Sequence, residues 1–211
     1  MIFKNRIQAA GILAQKLIQY RGHNPLVLAI PRGGVPVGRV IADVLGGELD
    51  VLMVRKLRAP MDPELAIGAV SEDGEVFVSS IAPKTGADDQ YIETEVGRQI
   101  YLMHRRRTLY TPIQAPISPK NRVVIVVDDG LATGATMIAG LMALQTRHPK
   151  RLICAVPVAA AESLKTVGAY CHEIVCLSEV QNFSGVGAYY EDFSQVEDGE
   201  VVALLAGAQE I

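Results

Sequence analysis

Tryptophan is absent from this chain of 211 residues, and only four phenylalanines and seven tyrosines are present. So few aromatics fit an α/β protein better than a β-sandwich. Cysteine is nearly absent too. Cys154, Cys171 and Cys176 are an odd set with no disulfide framework, and two of them sit in apolar strand-like runs, where a buried thiol is the plain reading. Cys171, His172 and Cys176 lack the fourth ligand that a structural zinc needs. A reduced, cytoplasmic setting is therefore expected. Positive charge is not in excess: the net charge is −3, which leaves no global basic field for nucleic acid. No apolar run is long enough to cross a bilayer. The opening MIFKNRIQAAGILAQKLIQYRG mixes charged and apolar residues as an amphipathic helix does, suited to a core face or an interface, rather than as a signal peptide. No G-x-x-x-x-G-K-[ST] loop exists, which excludes the P-loop nucleotide site, and no serine, cysteine and histidine set suggests a triad.

Nearly half the residues are apolar, and alanine and glycine are plentiful. Runs that read as buried parallel strands recur at 25–30 (PLVLAI), 49–56 (LDVLMVRK), 122–129 (RVVIVVDD), 151–158 (RLICAVPV) and 172–177 (HEIVCL). Helix-length segments separate several of them. That alternation predicts an α/β fold, a central mostly parallel sheet flanked by helices, in a single domain over 1–211. One excursion, about 58–118, breaks the pattern. It opens with two prolines, continues as a hairpin turning at SEDGE, and runs into a long polar helix ending near Tyr110. The helix carries HRRR at 104–107, read as a solvated face, and a proline-rich loop (TPIQAPISPK) follows. Excursions of this size are usually functional covers.

The stretch RVVIVVDDGLATGATMIAGL, 122–141, carries the chemistry. Five apolar residues run into Asp128 and Asp129, and Thr133, Gly134, Ala135 and Thr136 follow where a helix must begin. Ligands of open parallel sheets sit beyond the carboxyl ends of strands. A helix start offers free N–H groups and the positive end of the dipole to a phosphate. The carboxylates suit vicinal hydroxyls or a divalent cation. A diol beside a phosphate describes a sugar phosphate. The plainer alternative is a helix capped by Thr133 or Thr136 with solvated aspartates. A second constellation is AIPRGGVPVG, 29–38, where Arg32, Gly33 and Gly34 form a strand-to-helix turn. Glycine freedom there would expose an anion nest, with Arg32 as a forked donor. Arg55 and Lys56 end the second strand, and alternation directs one of them inward.

The stretch VVIVVDDGLATGAT resembles the phosphoribosyl-pyrophosphate (PRPP) signature of the type I phosphoribosyltransferases. Together with AIPRGGVPVG, VRKLRAPMDPELAIGAV and VGAYYEDFSQV, the resemblance covers most of the chain and extends to a poorly characterised bacterial group of that family. It implies that Asp128 and Asp129 contact the ribose hydroxyls, and that Thr133, Gly134, Ala135 and Thr136 hold the 5′-phosphate. Arg32, Gly33, Gly34 and Lys56 would hold the pyrophosphate, and the 58–80 region would close over PRPP. One departure is Gly130, where the family usually has an apolar residue; its expected effect is on loop flexibility rather than ligand choice. Purine-salvage relatives carry a base-stacking residue near NFSGVGAYYEDF, which points to Phe183, Tyr189 or Tyr190, and an acid that helps with the metal, here Asp192. The implied reaction transfers phosphoribosyl from Mg2+-PRPP to a nitrogen acceptor, a nucleobase or related small molecule, in nucleotide salvage. Relatives are often dimers. Two alternatives stand beside it: a PRPP-binding regulator without turnover, and a ribosyl-phosphate hydrolase or phosphorylase.

Overall fold

A computed structural model describes residues 1–63, 65–110 and 116–207. Part of the expected proline-rich loop, residues 111–115, and Glu64 of the expected cover lie outside the described residues. Five strands form the larger sheet: β1 (Leu26–Ala29), β2 (Glu48–Val51), β6 (Val123–Val127), β7 (Arg151–Ala160) and β8 (Glu173–Val180). Their order is β2-β1-β6-β7-β8, with every neighbouring pair parallel. β1 and β6 are buried along their whole length, because helices cover both faces. Side chains alternate between two half-cores. Val27, Ala29, Ile125 and Val127 pack toward α1 (Arg6–Lys16) and α2 (Gly34–Leu45). Leu26, Leu28, Val124 and Val126 pack toward α4 (Ala135–Gln145). The amphipathic first helix thus supplies a core face, burying Ala9, Ala10, Leu13 and Ala14.

The excursion holds a second sheet, antiparallel in the order β3-β4-β5, built from β3 (Val54–Arg58), β4 (Ala66–Ser71) and β5 (Val76–Val78). The expected hairpin is β4–β5, turning through Gly74 at φ +87°. The expected single strand over 49–56 is two strands. β2 pairs with β1, and after Leu52 and Met53 the chain crosses to the small sheet, where β3 pairs with β4. The hand-over is marked by Leu52 N–H donating to Ala29 O (2.8 Å) and Glu72 N–H donating to Met53 O (3.0 Å). The physical reason is charge: Arg55 and Lys56 could not be buried in a sheet covered on both faces without a large desolvation cost. The long helix α3 (Asp89–Tyr110) lies against β3 and β4. Its HRRR segment is not uniformly solvated. Arg107 is half-buried between Asp50 (3.3 Å) and Glu72 (3.0 Å), which ties the helix to both sheets, while His104 and Arg105 are exposed. The chain closes with α5 (Ala161–Val167) and α6 (Asp198–Leu205), the latter against α2 and α3. Residues 3–4 pair with 189–192, through Phe3 N–H to Tyr189 O (2.8 Å) and Asp192 N–H to Lys4 O (3.0 Å).

Candidate active site

β6 delivers Asp128 and Asp129 at its carboxyl end. The loop beyond is pinned to β7 by Leu131 N–H to Val158 O (2.9 Å) and Ala160 N–H to Leu131 O (3.0 Å). Gly134 then takes the left-handed conformation, φ +75°, as the residue before α4, which only glycine adopts at little cost. The N-cap residue is thus Gly134 rather than a threonine, and Thr133 Oγ1 accepts only a long hydrogen bond from the Ala135 N–H (3.5 Å). The plainer reading, with Thr133 or Thr136 as the N-cap residue, is therefore not what the chain builds. A groove of about 200 Å³ at the start of this helix is lined by Thr133, Gly134, Thr136, Asp128, Asp129 and Lys56. Ala135 is buried beneath it.

A second cleft, about 280 Å³, shares Lys56, Asp128 and Thr136 with the first. Its remaining walls are Ile30 and Pro31 from the end of β1, Arg55 and Arg58 from β3, and Gln99 and Arg106 from α3. Arg55 and Lys56 therefore both reach the cleft, although strand alternation directs only one inward. Arg55 is half-buried and donates to Gln99 Oε1 at 2.6 Å, and Lys56 is exposed. Burial, then the charges of Arg106, Arg58 and Arg98, holds Arg55 below its ordinary pKa. Arg58, Gln99 and Arg106 were not anticipated from sequence. A signal existed: Glu95 and Gln99 are polar residues on the buried face of α3, and such residues need partners.

In the PRGG turn glycine is required for space rather than for an unusual backbone angle. Gly33 has an ordinary φ of −59°, so its backbone angle does not demand glycine. Space does: a Cβ there would lie 2.0 Å from Asp129 Oδ2, and one at Gly34 would lie 2.8 Å from Val127 O. The glycines let the turn press against the acid pair. The Pro31–Arg32 peptide is cis. Gly34 N–H is spent on Ile30 O (3.0 Å), and Arg32 reaches away to Glu197 at 3.1 Å. Gly130 likewise serves packing: a Cβ there would lie 2.7 Å from Val186 Cγ1 and 3.0 Å from Val158 Cγ1.

Burial first, and the neighbouring Asp129 charge second, push the Asp128 carboxyl well above the usual carboxylate range. Burial also raises Asp129, against the pull of Arg6. Arg6, from the first turn of α1, was not foreseen; nothing local in sequence links it to a residue 123 positions away. Tyr190 is buried, with its hydroxyl donating to Asp129 O at 2.7 Å and its ring stacked on Phe193 at 5.1 Å. It is thus committed to packing rather than presented as a free platform. Phe183 and Tyr189 stack on each other, centroids 5.3 Å apart, and Phe183 lines a neighbouring hollow of about 420 Å³ with Thr133 and Gln181. Asp192 is exposed, accepts from Ser194 N–H at 3.0 Å, and lines neither part of the cleft.

Comparison with known proteins identifies the family and the fold. The phosphoribosyl transferase domain profile matches residues 1–193. A Mycobacterium tuberculosis H37Rv protein provisionally named phosphoribosyl transferase Rv0571c is 37% identical over 205 residues, 97% of this chain and 46% of that protein. The chain thus spans less than half the length of that curated relative. The solved structure of TT1426 from Thermus thermophilus is 43% identical with a TM-score of 0.84, covering 98% of this chain and 99% of that one. A hypoxanthine-guanine phosphoribosyltransferase from Bacillus anthracis, 11% identical, covers 86% of this chain and 83% of its own at a TM-score of 0.51, a likeness of fold alone. With its profile matched over most of its length, the chain belongs to the phosphoribosyl transferase domain family.

Proposed function

We propose that this protein binds PRPP with magnesium and transfers its 5-phosphoribosyl group to a nitrogen acceptor, a nucleobase or related small molecule, releasing pyrophosphate. One observation carries the reading. The acid pair, Thr133, Gly134 and Thr136 of the T-G-A-T loop, and Lys56 line one groove beyond the end of β6, which is where a sugar phosphate finds both its diol partners and its anion cradle. The N–H groups at the start of α4, with the Thr133 and Thr136 hydroxyls, take the 5′-phosphate. The acid pair serves the ribose hydroxyls. Lys56 bridges toward the second cleft, where Arg55, Arg58 and Arg106 make a cationic wall suited to the pyrophosphate. Arg32 joins that wall only by leaving Glu197, an exposed ion pair that costs little to break.

The bond from the anomeric carbon to the pyrophosphate oxygen breaks, the acceptor nitrogen bonds to that carbon, and the nitrogen's proton passes to solvent. Positive charge developing on the ribose is met by the carboxylates and negative charge on the leaving group by the cations, so catalysis is positional and electrostatic. Magnesium fits the donor set as an ion carried by the substrate. Among the described residues no three His, Cys, Asp or Glu side chains gather into a cage, and this ion is commonly held by one or two carboxylates with phosphate oxygens. Asp128 would hold it, and when bound it neutralises charge on the departing pyrophosphate. Phe183, in the hollow beside Thr133 and stacked on Tyr189, offers aromatic surface to a planar acceptor of the kind used in nucleotide salvage.

Phosphorus NMR of PRPP and magnesium with the protein, alone and with pools of nucleobases, tests the proposal. Pyrophosphate is expected only with an acceptor present, and is expected to vanish in Asp128→Asn plus Asp129→Asn. Pyrophosphate without any acceptor would make the protein a hydrolase. Broadened PRPP signals without turnover would make it a sensor, and unaltered PRPP would refute the reading altogether.

A further inference from the structure

The two acids that end β6 are adjacent in sequence and placed differently. Asp128 lines both parts of the cleft beside Lys56, and its Oδ1 accepts the Asp129 N–H at 2.8 Å. Asp129 lines only the groove on the α4 side. Its Oδ2 accepts from Nε of Arg6 at 2.9 Å and lies 2.9 Å from NH2 of the same guanidinium. On its other side the same carboxylate presses on Gly33, where no Cβ would fit. Its backbone carbonyl is held as well, by the Tyr190 hydroxyl at 2.7 Å.

Arg6 is fixed from several directions. Its NH1 donates to Ser194 O at 2.7 Å, and its guanidinium carbon lies 3.9 Å from the centre of the Phe193 ring. The Asn5 side chain caps the helix just before it, accepting Gln8 N–H at 2.9 Å. The side chains of Arg6 and Asp129 are only 11% and 13% exposed, so this is a largely buried, charge-assisted pair, stronger than a neutral hydrogen bond. Two neighbouring carboxylates at a strand end repel each other, and the guanidinium offsets that repulsion. Four separate pieces of chain meet here: the start of α1, the PRGG turn, the end of β6 and the 190–194 segment.

We propose that the acid pair divides its work: Asp128 faces both parts of the cleft, while Asp129 is held by Arg6, a positioning residue that locks it against the Gly33 turn and so fixes the frame in which the pair meets the ribose. This rests on the PRPP reading, and its test is arranged so that the two fail differently.

Titration calorimetry with magnesium and PRPP is run on the wild type and on Asp128→Asn, Asp129→Asn, Arg6→Gln, Arg6→Lys and the Arg6→Gln/Asp129→Asn double variant, each checked for folding by its melting curve. Asp128→Asn is expected to weaken PRPP binding about 100-fold, the worth of direct charge-assisted hydrogen bonds to a ligand. Arg6→Gln and Asp129→Asn are each expected to weaken it about tenfold, with the double variant no weaker than either, because both remove one interaction. Arg6→Lys keeps the charge and loses the fork, so an intermediate affinity is expected. If Arg6→Gln does not fold, Arg6→Lys completes the cycle with Asp129→Asn. The proposal is overturned if Asp129→Asn costs as much as Asp128→Asn while a folded Arg6 variant binds normally, or if the losses add. A wild type that does not bind PRPP refutes the functional reading itself, and the division of labour falls with it.

Discussion

Replacing Arg107 by methionine keeps the length and apolar stem of the side chain and deletes its charge. In the wild type the guanidinium lies 3.3 Å from Asp50 Oδ1 and 3.0 Å from Glu72 Oε1, with the side chains of Arg107, Asp50 and Glu72 13%, 4% and 16% exposed. Methionine would leave two buried carboxylates facing each other. Breaking a buried pair by removing one partner costs about 3–5 kcal/mol, which for a chain near 200 residues corresponds to a melting point lower by about 6–20 °C. Thermal and urea unfolding of the two proteins would measure the loss, and a difference below about 1 kcal/mol, the scale of a surface pair, would refute the argument. The pH dependence adds a second check. Burial first, only partly countered by hydrogen bonds and Arg107, holds the carboxyls of Asp50 and Glu72 above their ordinary values. Groups raised in the folded state favour folding once protonated and lose that contribution as pH rises through the folded pKa. The methionine variant, with both raised further, should therefore recover much of its deficit on going from neutral to mildly acid pH. A deficit that stays constant with pH would mean that the loss came from packing.

Gly130→Ala places a methyl group 2.7–3.0 Å from Val186 and Val158; destabilisation of about 1–3 kcal/mol by urea titration is expected from overpacking, whereas a purely flexible loop would show a slight gain. Glu173 is expected to contribute to acid unfolding. Burial alone would raise its carboxyl, but hydrogen bonds from Tyr20 and Arg151 outweigh burial and leave it below its ordinary value. Its contribution is present above the ordinary carboxylate range and disappears as pH falls through the folded pKa. The acid limb of a stability–pH profile should therefore be less steep in Glu173→Gln, and superimposable limbs would refute this.

The sheet was legible because strands buried on both faces must be written as unbroken apolar runs, as VVIVV at 123–127 is. The acid pair and the T-G-A-T loop were legible because they are contiguous and chemically costly without a ligand. The break after Val51 was hidden, since VLMV carries no glycine or proline where the chain leaves one sheet for another. Arg6 and Arg106 could not be placed from sequence, because Arg6 meets Asp129, and Arg106 the second cleft, only through tertiary packing. Gly33 was recognised as special for the wrong reason: its missing Cβ makes room for a carboxylate, which no local pattern can reveal.

The crossing after Val51 has a consequence of topology. β2 and β6 flank β1 on opposite sides, so everything between them must pass from one side of the PRGG turn to the other. The excursion is in effect a bridge over that turn, with piers on two strands of the rigid sheet and Arg55, Lys56, Arg58 and Arg106 on its span. Lengthening, shortening or rewriting the span changes the size and charge of the opening while leaving every register of the larger sheet as it is. The acid pair with the T-G-A-T loop and the cations of the second cleft are thus written in separable stretches of one chain, and each can drift without the other.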